Sequence, residues 1–203
     1  HTARRLLGPY FRDLAPLRSA TSIAELRRWA ESQSGPGFGF NGDALRAAAV
    51  RATFLAADCT VFLETGTYRA ATTLLVARLL GCPVYTSELN RKYWLLAAAR
   101  CAPFARVHPR RADSRDFLSQ MARELPPGSV PFVYLDAHWN DDLPLQAEID
   151  IVFTQWRRFV LLIDDFQVPG KPGFGFDTYA GKPLSLDTIR FPFEEGDAFC
   201  GVH

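Results

Sequence analysis

The chain has 203 residues, 48% of them hydrophobic and 22% charged, and its formal net charge is +1 at pH 7. These values predict one folded domain and exclude a disordered or fibrous chain. The balanced charge creates no field that would attract nucleic acid or an anionic membrane, so we expect a small-molecule partner, no nucleic acid and no membrane. Assembly into a homodimer is left open.

Apolar stretches and cysteines indicate the compartment. The longest apolar stretches, such as residues 71–80, are much shorter than the roughly 20 residues that span a bilayer. The four cysteines, Cys59, Cys82, Cys101 and Cys200, include no Cys-x-x-Cys pair. Such spacing is not typical of a zinc knuckle or a disulfide framework, so we expect a cytoplasmic location.

The first part of the chain is predicted to be helical. Residues 1–34 carry apolar side chains mostly at spacings of three or more, and a stretch rich in Gly, Ser and Pro follows at residues 32–42. We assign residues 1–42 to a helical amino-terminal extension and residues 43–203 to the main domain. A helix running through Leu45 and Leu55 opens that domain.

Strands and helices are predicted to alternate from residue 60 onward. The short apolar runs indicate strands near residues 61–63, 84–86, 105–107, 132–135 and 159–163, and helices are expected near residues 72–80, 90–100, 114–124 and 143–156. Five strands separated by helices favour parallel pairing. The predicted fold is therefore α/β, a Rossmann-like, doubly wound, mostly parallel sheet with an amino-terminal helical extension.

Acidic residues follow these strands. They lie at the carboxyl end of a predicted strand or in the loop after it: Glu64, Glu88, Asp113, Asp136, Asp164 and Asp165. In an open α/β sheet, ligands bind along that edge. The placement predicts a binding site there.

A glycine string near the amino end suggests one alternative. Gly37, Gly39 and Gly42 match the Gly-x-Gly-x-x-Gly pattern of nicotinamide and flavin sites. That pattern requires a strand immediately before the glycines, whereas residues 24–31 have the spacing of a helix. A nicotinamide-dependent oxidoreductase is therefore the less favoured hypothesis about function.

The loop after the first predicted strand has a better context. Gly66 permits a tight turn or close approach of the backbone, and Glu88 supplies a carboxylate that is able to accept both hydroxyls of a ribose. Asp113 and Ser114 offer polar groups to an adenine edge. Each acid also has a structural reading as a helix cap, but in series these residues describe a nucleoside pocket.

Over roughly residues 43–170 the sequence resembles class I S-adenosylmethionine-dependent methyltransferases. The resemblance implies that Glu64, Gly66 and Thr67 contact the methionine moiety, that Glu88 holds the ribose, and that Asp113 and Ser114 touch adenine. Asp136 is also expected to line the cofactor. Ala70 departs from the family, in which many members carry a second glycine. A closer likeness is to small bacterial methyltransferase-like proteins with the strings found here at residues 135–139 and 163–166.

Three aspartates suggest a metal site. Asp136 follows the fourth predicted strand, and Asp164 and Asp165 follow the fifth. Carboxylate oxygens suit Mg²⁺ or Ca²⁺ better than zinc. The layout is similar to that of metal-dependent O-methyltransferases of the catechol and macrolide-sugar types, which implies Mg²⁺ at Asp136, Asp164 and Asp165. Capping of helices or simple solvation is the competing interpretation.

The segment after Asp136 suggests a proton acceptor. Catechol-type enzymes carry His-Trp and then a lysine base in this region, but Asn140 stands in the place of the lysine. His138 is the available substitute because an imidazole titrates near neutral pH. His138 and Asp136 are thus the candidate catalytic residues, and Trp139 is expected to flank adenine. A structural role for both His138 and Trp139 stays open.

Together these features predict methyl transfer from S-adenosylmethionine to an oxygen of a small-molecule acceptor, assisted by a divalent metal. An S-adenosylmethionine-binding module without transfer activity is the first alternative, because the lysine is missing. The two hypotheses share the nucleoside pocket and differ only in the chemistry beside it.

Overall fold

The computed structural model describes residues 39–137, 142–168, 175–179 and 181–192. Helices and strands alternate along most of this chain. The helices are the 3-10 turn Phe40–Gly42, α1 (Ala44–Ala56), α2 (Ala71–Leu80), α3 (Arg91–Cys101), α4 (Ser114–Glu124) and α5 (Leu145–Gln155). The strands are β1 (Val61–Thr65), β2 (Val84–Ser87), β3 (Val107–Arg110), β4 (Pro131–Leu135), β5 (Val160–Ile163), β6 (Thr178–Tyr179) and β7 (Lys182–Pro183).

Strands β1 to β5 form one sheet in the order β3-β2-β1-β4-β5, and every neighbouring pair is parallel. The chain moves from β1 toward one edge through β2 and β3, and then returns to the other side of β1 with β4. The strand order therefore reverses between β1 and β4. This arrangement confirms the predicted α/β, Rossmann-like, parallel sheet, and it places a ligand crevice at the carboxyl ends of β1 and β4.

Helices cover both faces of the sheet, which explains why the strands are apolar on both sides. Successive side chains of a strand point to opposite faces. Phe62 of β1 and Phe132 of β4 belong to a core shared with α1, α2 and α3. Leu63 and Val133 belong to a second core, shared with α4 and α5. The sheet is thus buried in two layers, and its polar residues collect at the strand ends.

The third strand differs from its prediction. It was expected at residues 105–107, but the structure has β3 at Val107–Arg110. The amide of Val107 donates to the carbonyl of Phe104 at 2.9 Å, so residues 105 and 106 lie in a turn after α3. The turn takes up Ala105 and Arg106, the first two residues of the predicted strand, and the observed strand begins only at Val107.

Two further features lie at the ends of the fold. The predicted extension, residues 1–42, falls outside the described residues except for Gly39 to Gly42. The antiparallel pair β6 and β7 follows the main sheet and had no counterpart in the sequence-based prediction. Within the described ranges, no helix has both the length and the apolar character needed to cross a membrane.

Candidate active site at the carboxyl edge of the sheet

The loops after β1, β2 and β4 touch one another at the point where the strand order reverses. Gly66 has a φ of +82°, and its amide donates to the carbonyl of Ser87 at 3.0 Å. A Cβ atom at Gly66 would overlap the carbonyl group of Asp136. The amide of Asp136 in turn donates to the carbonyl of Thr65 at 3.1 Å. This contact needs glycine, and it joins the predicted cofactor loop to the predicted metal loop.

Glu64 is buried just before this loop, with 1% of its surface exposed. Its Oε2 accepts hydrogen bonds from the hydroxyls of Thr73 at 2.5 Å and Thr86 at 2.6 Å. Burial raises the pKa of Glu64 to about 7, while the two hydroxyls act against this rise and the charge of Glu88 adds to it. Glu64 therefore ties β1 to α2 and β2 beneath the loop.

Glu88 is half-buried after β2 and is fixed by two backbone amides. Its Oε2 accepts from the amide of Tyr68 at 2.8 Å, and its Oε1 accepts from the amide of Asn90 at 2.7 Å. Each carboxylate oxygen has room for a second donor. Glu88 thus has a set orientation and keeps acceptor capacity on both oxygens, as binding of a ribose diol requires.

Thr67 packs into the same corner. Its side chain is buried, and its Oγ1 lies 2.5 Å from Oγ1 of Thr86. Its amide donates to the carbonyl of Ser87 at 3.0 Å. The structure therefore brings Glu64, Gly66, Thr67 and Glu88 together at the ends of β1 and β2.

Asp113 caps α4, because its side chain accepts from the amide of Arg115 at 2.9 Å. It also accepts from the guanidinium of Arg115 at Nε, 2.9 Å, and Nη2, 2.7 Å. Hydrogen bonds from Arg115 hold the pKa of Asp113 below its usual value. Arg115 pairs with Asp142 as well, at 2.8 Å. The predicted adenine-binding acid is thus already held by a cap and an ion pair.

Glu148 of α5 is a buried acid that the sequence reasoning missed. Its carboxyl oxygens have no partner with ordinary hydrogen-bond geometry within the described ranges. Burial raises its pKa to about 7, although the hydroxyls of Ser114 and Thr65 lie near enough to lower it. Its signal in the sequence is an acid within an apolar helical stripe formed by Leu145, Ile149 and Val152.

Asp136, Asp164 and Asp165 form the acidic cluster, with one carboxylate oxygen from each lying within 4.8 Å of the others. Burial, and then repulsion from Asp164, raises the pKa of Asp136 well above its usual value. The same two causes raise the pKa of Asp165 to about 6. A divalent cation would relieve this repulsion, and an all-oxygen donor set suits Mg²⁺ or Ca²⁺. The residues therefore fit the implied metal.

Two residues absent from the sequence-based site hold Asp164, which is 2% exposed. The hydroxyl of Tyr134 donates to Oδ2 of Asp164 at 2.5 Å. The guanidinium of Arg46, from α1, donates to Oδ1 through Nη1. Arg46 is 118 positions away in the chain, so no local pattern could reveal this contact.

Some predicted residues cannot be placed. His138 and Trp139 lie outside the described residues, and their roles stay predictions. Of the glycine string, Gly37 also lies outside them, whereas Gly39 packs tightly against α2 and Gly42 ends the 3-10 turn.

Comparison with known proteins supports the fold. No protein-family model matches the chain, and no curated protein matches it in sequence. The O-methyltransferase TomG from Streptomyces achromogenes, solved in complex with SAM, is similar with a TM-score of 0.53 and 18% identity, covering 89% of this chain and 78% of its own. An O-methyltransferase from Bacillus cereus in complex with SAH has a TM-score of 0.49 and 18% identity, covering 77% and 68%. The likeness to TomG shows a shared fold, which agrees with the α/β, Rossmann-like parallel sheet expected from the sequence.

Proposed function

We propose that this protein transfers a methyl group from S-adenosylmethionine to an oxygen of a small-molecule acceptor, assisted by a divalent metal. The observation that carries the proposal is the contact between Gly66 and Asp136. It joins the acidic cluster to the proposed nucleoside site at the ends of β1 and β2, which is formed by Glu64, Gly66, Thr67 and Glu88. Methyl donor and acceptor must meet at one place for transfer to occur. The crevice where the strand order reverses meets that requirement.

The cofactor would be held along the ends of β1, β2 and β3. Glu88 would accept hydrogen bonds from the two ribose hydroxyls, because backbone amides already orient both of its carboxylate oxygens. Gly66 and Thr67 would run beside the methionine moiety. Asp113 and Ser114 would face adenine, with Arg115 sharing Asp113, and Trp139 would flank the ring. S-adenosylmethionine supplies an activated methyl group, so the chain has mainly to align it.

The acceptor would be held beside the acidic cluster. A divalent ion at Asp136, Asp164 and Asp165 would bind acceptor oxygens and lower the pKa of a hydroxyl. Among the described residues, no side chain donates a hydrogen bond to the carboxyl oxygens of Asp136 or Asp165, so both are available as ligands. Tyr134 orients Asp164. His138 would take the proton of the acceptor hydroxyl, which is the role of a general base near neutral pH.

The test is methyl transfer from isotope-labelled S-adenosylmethionine to a panel of small hydroxyl compounds, including vicinal diols, with Mg²⁺ or with EDTA. We expect label on an acceptor oxygen, and a loss of about tenfold or more in rate with EDTA and in Asp165→Asn. Asp150→Asn, which changes an exposed acid of α5, is the matched control and should keep its rate. Transfer that is equal with and without metal would contradict the metal role, and binding of the cofactor without any transfer would favour the binding module.

A further inference from the structure

We propose that Arg46 is a built-in competitor of the divalent metal: its guanidinium occupies Asp164 and sets the affinity of the acidic cluster for the ion. This inference rests on the metal site of the proposed function. It concerns a residue of α1 that lies outside the strand-end positions from which the site was predicted.

Arg46 reaches the cluster from the first turn of α1. The side chain of the cap residue Asp43 accepts a hydrogen bond from the amide of Arg46 at 2.9 Å, and this bond fixes the start of the helix. From there Nη1 donates to Oδ1 of Asp164, and Nε lies 4.0 Å from Oδ2 of Asp43. The Arg46 side chain is 31% exposed and that of Asp164 only 2%. The ion pair is therefore largely shielded, and its cation stands on the solvent side of a buried acid.

Asp164 has little acceptor capacity left. Its Oδ1 accepts from Arg46 and from the amide of Asp165 at 3.0 Å. Its Oδ2 accepts from the hydroxyl of Tyr134 at 2.5 Å. A carboxylate offers about four lone-pair sites, and three are in use. Both sites of Oδ1 are therefore filled, and one site of Oδ2 is open beside the Tyr134 hydroxyl. A metal ion that binds Asp164 through both oxygens, or through Oδ1, must displace Arg46 or share Oδ1 with it.

The charge of Arg46 acts on the whole cluster. A guanidinium stays protonated at every accessible pH, so its charge cannot be titrated away. The electrostatic influence of Arg46 extends to Asp136 and Asp165 as well as Asp164. A divalent ion bound by these carboxylates would lie close to that guanidinium, and like charges at such distances repel strongly in a partly buried site. Displacement and repulsion therefore work in the same direction, toward weaker metal binding.

The consequence is a site in which two cations compete for one acid. Without metal, Arg46 compensates the charge of Asp164 and holds it in place together with Tyr134. A metal ion bound through Oδ1 of Asp164 would take over that compensation, and the guanidinium would move away. Removing the guanidinium should therefore tighten metal binding, which is the opposite of what loss of a merely supporting residue would do.

The test is a calorimetric titration of Mg²⁺ alone into the full chain, without cofactor or acceptor. Four proteins are compared: the wild type, Arg46→Gln, Arg46→Lys, which keeps the charge, and Arg123→Gln, which removes an exposed arginine of α4. We expect Arg46→Gln to lower the Kd for Mg²⁺ about tenfold or more, and the two control variants to stay within about threefold of the wild type. Arg46→Met, which keeps an apolar stem, replaces Arg46→Gln if circular dichroism shows that the latter is unfolded.

The outcomes separate this inference from the proposed function. Equal or weaker Mg²⁺ binding by Arg46→Gln would overturn the competition while leaving the metal site in place. The competition would also be overturned if Arg123→Gln lowered the Kd for Mg²⁺ as much as Arg46→Gln does, because the effect would then come from the net charge of the protein. Absence of Mg²⁺ binding in every variant would overturn both this inference and the metal role, and S-adenosylhomocysteine titrated into the same samples would report on the cofactor site independently.

Discussion

At the scale of the residue, Gly66 leaves no room for a side chain. Two separate constraints act on it: a left-handed backbone with φ of +82°, and the carbonyl of Asp136 in the space a side chain would need. Gly128 shares the first constraint, with φ of +83°, but has nothing within 4 Å of its would-be Cβ. Comparing alanine substitutions at Gly66 and Gly128 therefore separates the cost of backbone strain from the cost of close packing.

We predict that Gly128→Ala costs about 1–2 kcal/mol of unfolding free energy, from backbone strain alone. Gly66→Ala should cost more, because the loop must also move away from Asp136, and it should weaken S-adenosylhomocysteine binding as well. Urea denaturation and calorimetry measure the two effects. Equal stability losses in the two variants, with cofactor affinity kept, would show that the contact between the loops is not tight.

At the scale of the element, Glu148 lies where α4, α5 and β1 meet. The groups facing it are the hydroxyls of Ser114 and Thr65 together with two charged residues of the α4 start, of which Asp113 raises and Arg115 lowers its pKa. Burial is the largest influence, and it brings the pKa from 4.5 to about 7. The folded protein therefore binds a proton here more tightly than the unfolded chain does.

This difference predicts a pH-dependent stability. The stabilisation that comes from the protonated Glu148 is a part of the unfolding free energy. It is fully present below pH 4.5 and is lost as the pH rises through about 7. Glu148→Gln is neutral at every pH. We therefore predict that its unfolding free energy, measured relative to that of the wild type, rises by on the order of 3 kcal/mol from pH 4 to pH 8. Urea denaturation of both proteins at several pH values measures the gain. Parallel pH profiles would mean that Glu148 is ionised and satisfied in the folded state.

At the scale of the whole molecule, the sheet was predictable because its strands are apolar on both faces. That pattern located β1, β2, β4 and β5, and the acids after them marked the carboxyl edge. It placed β3 two residues early, because the short stretch 105–107 does not reveal that its first two residues form a turn. The pair β6 and β7 is too short for any period to show.

The site was predictable only in part, for a related reason. Position along the chain indicates which acids reach the carboxyl edge, and the acidic cluster and the corner of Glu64 and Glu88 follow from it. Partners contributed by tertiary packing have no such signal. The guanidinium of Arg46 on Asp164 comes from 118 positions away and is not visible in strand and helix patterns. The guanidinium of Arg115 lies only two positions from Asp113, but the helix pattern does not show that the side chain folds back onto its cap. Both contacts reduce the acceptor capacity that the acids have left for a ligand.

The most direct test of the account is a calorimetric titration of S-adenosylhomocysteine into the wild type, Glu88→Ala and Glu124→Ala, the last being an exposed acid paired with Arg110. We predict saturable binding to the wild type and to Glu124→Ala. Affinity should fall by about tenfold or more in Glu88→Ala, because hydrogen bonds to a charged acceptor are worth about 1.5–3 kcal/mol. No binding to the wild type at millimolar ligand, or unchanged affinity in Glu88→Ala, would contradict the nucleoside site at the ends of β1 and β2.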